Sequence, residues 1–143
     1  MTTARDVAEY FLFKAHEENE LISHMKVQKL LYYAQGFHLA IFDRPLFDEE
    51  IEKWTHGPVV PDIYHLYKRY RDSKIPWVEN FDNNRINEES RELIDEVYSV
   101  LGQFSAFALR NMTHSEPPWV NTENAEVIPP EIMKSYFKTR IKS

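Results

Sequence analysis

Six histidines and 23 carboxylates give this chain the raw material for a metal site or an acid–base pair, and their spacing argues against both. A zinc-protease helix needs His-Glu-x-x-His, which sets two imidazoles on one helical face; here His16-Glu17-Glu18 runs on into Asn19-Glu20. His114-Ser115-Glu116 spells the His-x-Glu half of a zinc-deaminase signature, yet the other half is Pro-Cys-x-x-Cys and the chain has no cysteine. His38, His56, His65 and His114 would have to converge from separate segments, and scattered histidines more often make ordinary hydrogen bonds than close a metal site. The missing cysteines also remove thiol nucleophiles, CxxC redox chemistry and iron–sulfur ligation, and they suit a reducing compartment, with cytoplasm the default. No serine sits in a Gly-x-Ser-x-Gly elbow. The three glycines, Gly36, Gly57 and Gly102, are too few and too far apart for a phosphate-binding loop. Carboxylate pairs such as Glu49-Glu50 and Glu88-Glu89 read as solvated faces. No catalytic set, metal or cofactor is expected, and the protein is read as a non-enzyme.

Basic chemistry is concentrated in two places. Lys68-Arg69-Tyr70-Arg71, with Lys74 beyond and Tyr64 and Tyr67 before, interleaves cations and aromatics as nucleic-acid binders do. At helical spacing, however, the tyrosines belong to a buried face and the charges to an exposed one. The second place is the C-terminal segment with Lys134, Lys138, Arg140 and Lys142. The first 132 residues therefore carry 13 basic against 23 acidic side chains, a net of −10 within a chain total of −6. Such a body repels nucleic acid and suits a basic protein partner. The N-terminus lacks the basic-then-apolar order of a signal peptide, and no apolar run approaches the roughly 18 residues of a membrane span.

The elements that position these residues are mostly helical. With 143 residues the chain is the length of one domain, and no linker, repeat or low-complexity tract divides residues 1–143. Ala4, Ala8, Phe11 and Ala15 recur at helical spacing, with Thr3 as cap, and predict a helix over 4–19. Val27, Leu30, Leu31, Ala34, Phe37 and Ile41 line a second helix from Met25 to Phe42, widened by Tyr32, Tyr33, Leu39 and Phe42 until it reads as the buried centre. Pro45-Leu46-Phe47 and Ile51-Glu52-Lys53-Trp54, with a polar turn between, predict a two-stranded ribbon or extended arm; Thr55-His56-Gly57-Pro58 reads as a turn. Pro61 opens a third helix, with Val60, Ile63, Tyr64, Tyr67 and Tyr70 on one face. Residues 71–85 read as a loop pinned by Trp77 and Phe81. A fourth helix runs from about Asn87 to Gly102, with Leu93, Ile94, Val97, Val100 and Leu101 inward. A short fifth carries Phe104, Phe107, Ala108 and Met112, and the paired prolines should leave 113–119 irregular. Pro129-Pro130 opens a last helix with Ile132, Met133, Tyr136, Phe137 and Ile141. The fold class expected is mainly α: a single helical domain of about six helices, with a small β ribbon between helices two and three.

The middle of the chain carries more than periodicity. Val27-Gln28-Lys29-Leu30-Leu31-Tyr32-Tyr33-Ala34-Gln35-Gly36-Phe37-His38-Leu39-Ala40, then Arg44-Pro45-Leu46-Phe47, Ile51-Glu52-Lys53-Trp54 and His56-Gly57-Pro58-Val59-Val60, resembles the Panacea domain of the SocA-like antitoxin family. Thr113-His114 and Pro118-Trp119 resemble that family's Thr-His-x-x-x-Pro-Trp segment, so the likeness covers Met25 to Trp119. Val27 and Phe37 stand where Leu and Trp are commoner, both apolar exchanges. The resemblance implies an antitoxin of a bacterial or prophage toxin–antitoxin pair, neutralising a toxin encoded next door by direct protein binding. It also implies, for some members, delivery of the toxin to a protease. The chain reads as the domain alone, without the zinc or DNA-binding module some members carry; a nucleic-acid-associated regulator is the alternative.

Gln28, Lys29, Leu30, Tyr32, Tyr33, Gln35, His38, His114 and Trp119 are the motif positions expected to be structural. On the central helix, Tyr32, Tyr33, Gln35 and His38 read as core residues with a buried polar handle. His114 and Trp119 should lock the irregular segment to the core, with Thr113 or Glu116 bonded to the histidine. Trp54, His56, Gly57, Pro58, Val59 and Asp62 are the candidate partner-binding residues, because a ribbon and turn at the surface can present an aromatic and a backbone edge. Trp54 could equally plug the gap between ribbon and helix.

Overall fold

A computed structural model describes residues 1–77 and 80–141, so Lys142 of the basic C-terminal segment lies outside the described residues. Helix α1 (Ala4–Glu17) starts at a capping box in which Thr3 and Asp6 bond each other's backbone amides. It ends two residues short of the expected 19, because Asn19 adopts a positive φ of 55°. Helix α2 (His24–Phe42) is capped by Ser23 and stops at Asp43, whose φ of 58° is left-handed. The strands β1 (Glu52–Trp54) and β2 (Gly57–Val59) follow, then α3 (Pro61–Tyr67) with a 3₁₀ turn at Lys68–Tyr70. Helices α4 (Glu88–Leu101), α5 (Ala106–Thr113), α6 (Pro117–Val120) and α7 (Pro130–Lys138) complete a mainly helical fold.

The amphipathic pattern is realised around α2, which packs against α1, α3, α4, α5, α7 and β2. Its buried residues include Val27, Leu30, Leu31, Tyr32, Tyr33, Ala34 and Leu39. Residue 36 must be glycine here: a Cβ would overlap the ring of Phe137, which lies directly on the α2 backbone. Phe137 also meets Tyr32, Tyr33 and Phe37 edge-on, at centroid distances of 5.4, 5.9 and 4.8 Å.

Four expectations need correction. The ribbon pairs Glu52 with Val59 and Trp54 with Gly57, so Gly57 and Pro58 belong to a strand rather than a turn, and Pro45–Phe47 pairs with neither strand. The backbone of Leu46 and Phe47 instead bonds to the side chain of Gln35. Residues 113–119 are not wholly irregular, since Pro117 takes the first position of α6, where a missing amide costs nothing; this raises the helix count to seven among the described residues. Ile41 and Val100 are 46% and 48% exposed, each at a helix end beyond reach of a packing neighbour's core. A further segment flanks the ribbon: Lys53 and Ala125/Glu126 exchange backbone bonds of 3.0 and 2.8 Å, and Ile128 N–H donates to Ile51 C=O, so the outer edge of β1 is covered.

Candidate partner-binding cleft

Two glutamines on α2 hold the loops that frame the site. The Gln28 amide accepts from Val60 N–H at 2.9 Å and donates to Val60 C=O, fixing the start of α3 as a neighbouring strand would. Two turns later Gln35 accepts from Leu46 N–H at 2.7 Å and donates to Phe47 C=O at 2.8 Å. His38 is saturated as well, donating from Nδ1 to Arg44 C=O and accepting at Nε2 from the Ser90 hydroxyl, both at 2.8 Å. Tyr32 and Tyr33 donate to the two oxygens of Glu116 at 2.9 and 2.8 Å. Burial raises the Glu116 carboxyl above its ordinary range, while those hydroxyls pull it back down.

His114 does not use the partners expected for it. Glu116 is taken by the tyrosines, and the Thr113 hydroxyl donates to Arg110 C=O at 2.7 Å. His114 instead stacks on Trp119, with centroids 4.1 Å apart and planes 13° from parallel. Trp119 Nε1–H donates to Trp54 C=O at 3.1 Å, and the Lys53 ammonium sits 4.0 Å from the Trp119 ring centroid. The Thr-His-x-x-x-Pro-Trp segment therefore anchors β1.

Between this anchored ribbon, the start of α2 and the end of α3 opens a cleft of about 750 Å³. Trp54, His56 and Val59 line it, together with His24, Tyr64, Lys68 and Arg71. The Trp54 ring meets Tyr64 edge-on at 4.8 Å and donates from Nε1 to Glu52. Gly57 and Pro58 are buried within β2 and do not line the cleft, and Asp62 is exposed on α3 outside the cleft lining. Trp54 thus does both things the sequence allowed: it fills the space between ribbon and α3, and it faces an open cleft.

The floor is Lys29, which is 1% exposed. Its amine donates to Pro58 C=O at 3.3 Å, the one acceptor it has among the described residues for three N–H donors. Burial lowers its pKa to about 7, and the neighbouring Arg110 guanidinium pushes the same way. Gly57 makes room for it: at φ 117° a side chain is strained, and a Cβ would lie 2.6 Å from Lys29 Cε. Beside it His24 is held neutral, its pKa lowered to about 4 by burial first and by Lys29 second; its ring accepts from the Gln28 amide at 3.0 Å.

Sequence reasoning treated Lys29 as structural and did not anticipate it as a cleft floor, nor Glu116 as the acceptor of both tyrosines. A signal for the former was present: Lys29 precedes Tyr32 and Tyr33 by three and four residues, which puts a cation on a helical face that is otherwise buried. Among the described residues, no three His, Asp or Glu side chains gather as a ligand set, and no helix is long and apolar enough to cross a membrane.

The family described as Antitoxin SocA-like, Panacea domain, matches residues 27–120. The chain is also similar to Antitoxin SocA of Caulobacter vibrioides (strain NA1000 / CB15N), with 32% identity over 127 residues that cover 81% of this chain and 68% of that protein. No solved structure matches the chain significantly. The matched segment takes in α2 from Val27 onward, the ribbon, most of the cleft lining and the Tyr32–Glu116–Tyr33 cluster, and on that breadth the chain belongs to the SocA-like antitoxin family, as a Panacea domain.

Proposed function

We propose that this protein is an antitoxin that acts without catalysis, neutralising a toxin encoded beside it by direct protein–protein contact. The observation that carries the reading is the family membership, joined to an open cleft whose wall and rim are Trp54, His56 and Val59. An aromatic side chain beside a rigid ribbon is the kind of anchor that concentrates binding energy. The ribbon and the first turn of α3, where Asp62 is exposed, form the contact surface. A toxin seated there would have its own active site covered or distorted.

The test is growth of cells expressing each neighbouring gene alone and together with this protein, followed by co-purification. Toxicity relieved together with a stable complex supports the reading; relief without physical association overturns it. Within the complex, Trp54→Ala with His56→Ala should cost binding while leaving the thermal midpoint within a few degrees. Loss of folding in that double variant would return both residues to a structural role.

A regulator that binds nucleic acid through Lys68, Arg69, Arg71 and Lys74 is the second reading, favoured by the presence of Lys68 and Arg71 on the cleft. Arg69 is committed elsewhere, with its guanidinium 3.0 Å from the Tyr70 hydroxyl and over that ring. Salt-dependent binding of DNA or RNA would support this reading.

A further inference from the structure

The charge of the cleft is opposite to that of the molecule. The chain carries −6 overall, yet the cleft is lined by Lys29, Lys53, Lys68 and Arg71 against a single carboxylate among the described residues, Asp72. The Asp72 carboxylate forms no ion pair with any of the four among the described residues. At the bottom Lys29 has one carbonyl acceptor, at 3.3 Å, for an amine that charges at the expense of its burial. A buried ammonium lacking acceptors is costly, and an oxygen anion arriving from the cleft would supply them. Along one wall lie Trp54 and Tyr64, which give apolar surface beside the cations.

We propose that the cleft takes an acidic, aromatic- or aliphatic-bearing peptide segment of the protein partner, with one carboxylate seated on Lys29 and others on Lys68 and Arg71 at the rim. The proposal rests on the reading above that this chain binds a protein, and it reverses the partner charge that the acidic body alone suggested. A polynucleotide fits less well. It needs a track of cations along its backbone, whereas here they surround one concavity on a body whose remaining surface repels phosphate. Electrostatic pairing of this kind governs encounter and register more than total affinity.

The probe is the capped peptide acetyl-Glu-Asp-Phe-Glu-Asp-amide, titrated into the full chain and followed by the NMR signals of the Trp54 indole and of backbone amides around Lys29. Its Gln/Asn analogue serves as the uncharged control. The acidic peptide should shift those signals and bind about tenfold more tightly than the control, with the advantage mostly erased at about 0.5 M salt. Lys29→Met should abolish the preference, and Lys68→Glu with Arg71→Glu, both exposed and outside the core, should do so in a protein whose folding is untouched. In the complex with the toxin, the rim double variant should weaken binding by about tenfold or more, while Lys138→Glu, outside the cleft, leaves it within about twofold.

Equal binding of the acidic and neutral peptides overturns the proposal. So does a toxin complex that forms normally with the rim double variant, or an oligonucleotide that occupies the same residues and displaces the peptide. Specific binding of the acidic peptide without any complex between this chain and its neighbour's product supports the cleft and removes the toxin reading, so the two fail separately.

Discussion

Along one helix, α2, two kinds of buried polar group lie within three turns of each other. Gln28, Gln35, His38 and the Tyr32–Glu116–Tyr33 cluster have found partners at 2.7 to 3.3 Å for the groups that burial strips of water. Lys29 has found a single carbonyl among the described residues. The first kind fastens loops to the helix and adds to stability once formed. The second subtracts from it, because an ammonium is held where it is poorly solvated. A saturated group has nothing left to offer a ligand, and an unsaturated one has. The difference separates what holds this fold together from what can bind to it.

The contrast is broken most severely by Glu116→Ala, which strands two buried tyrosine hydroxyls and should cost about 4 kcal/mol in urea unfolding. Gln35→Leu should cost about 3 kcal/mol by the same measurement, since Leu46 N–H and Phe47 C=O lose their partners together. Lys29→Met has the opposite sign: a gain of about 1 kcal/mol near pH 6, because an apolar side chain of similar length removes a buried charge. Below pH 7 the lysine is charged in both folded and unfolded chains, and its burial cost is fully present. Between about 7, its folded pKa, and its ordinary 10.5, the folded protein releases the proton first, so wild-type stability rises with pH. The advantage of the Met variant should therefore shrink from pH 7 to pH 10, and an advantage independent of pH would show that Lys29 is not the buried charge described. Smallest is His56→Ala, at an exposed turn, which should move stability by less than about 0.5 kcal/mol while partner affinity falls.

Much of this was legible in the residues. The helix α2 and its burial follow from a 3.6-residue period wide enough to leave little polar face, and α4 and α7 follow from their own stripes and from Asn87 and Pro130 at their starts. The ribbon register was not legible, because Pro45–Phe47 has the apolar look of a strand and its true partner, the Gln35 amide, is a side chain that no strand pattern reveals. Gly57 read as part of a turn, but its freedom to take positive φ is spent inside a strand to clear Lys29. Trp54 and His56 could be picked as surface residues; that they share a cleft with Lys68 and Arg71 depends on how α3 returns past the ribbon, which is tertiary information. The Glu116 network eluded the sequence because its tyrosines lie more than 80 positions away.

The seat of Phe137 on Gly36 joins positions about 100 residues apart. Closing so long a loop costs more chain entropy than pairing α1 to α2 or turning the ribbon, which predicts that α7 docks after them. Until it does, the rings of Tyr32, Tyr33 and Phe37 line an open aromatic trough, the surface through which two unfinished copies would adhere. A side chain at position 36 would hold Phe137 off α2 and leave those rings uncovered in the finished protein as well, an apolar patch of the kind through which copies associate.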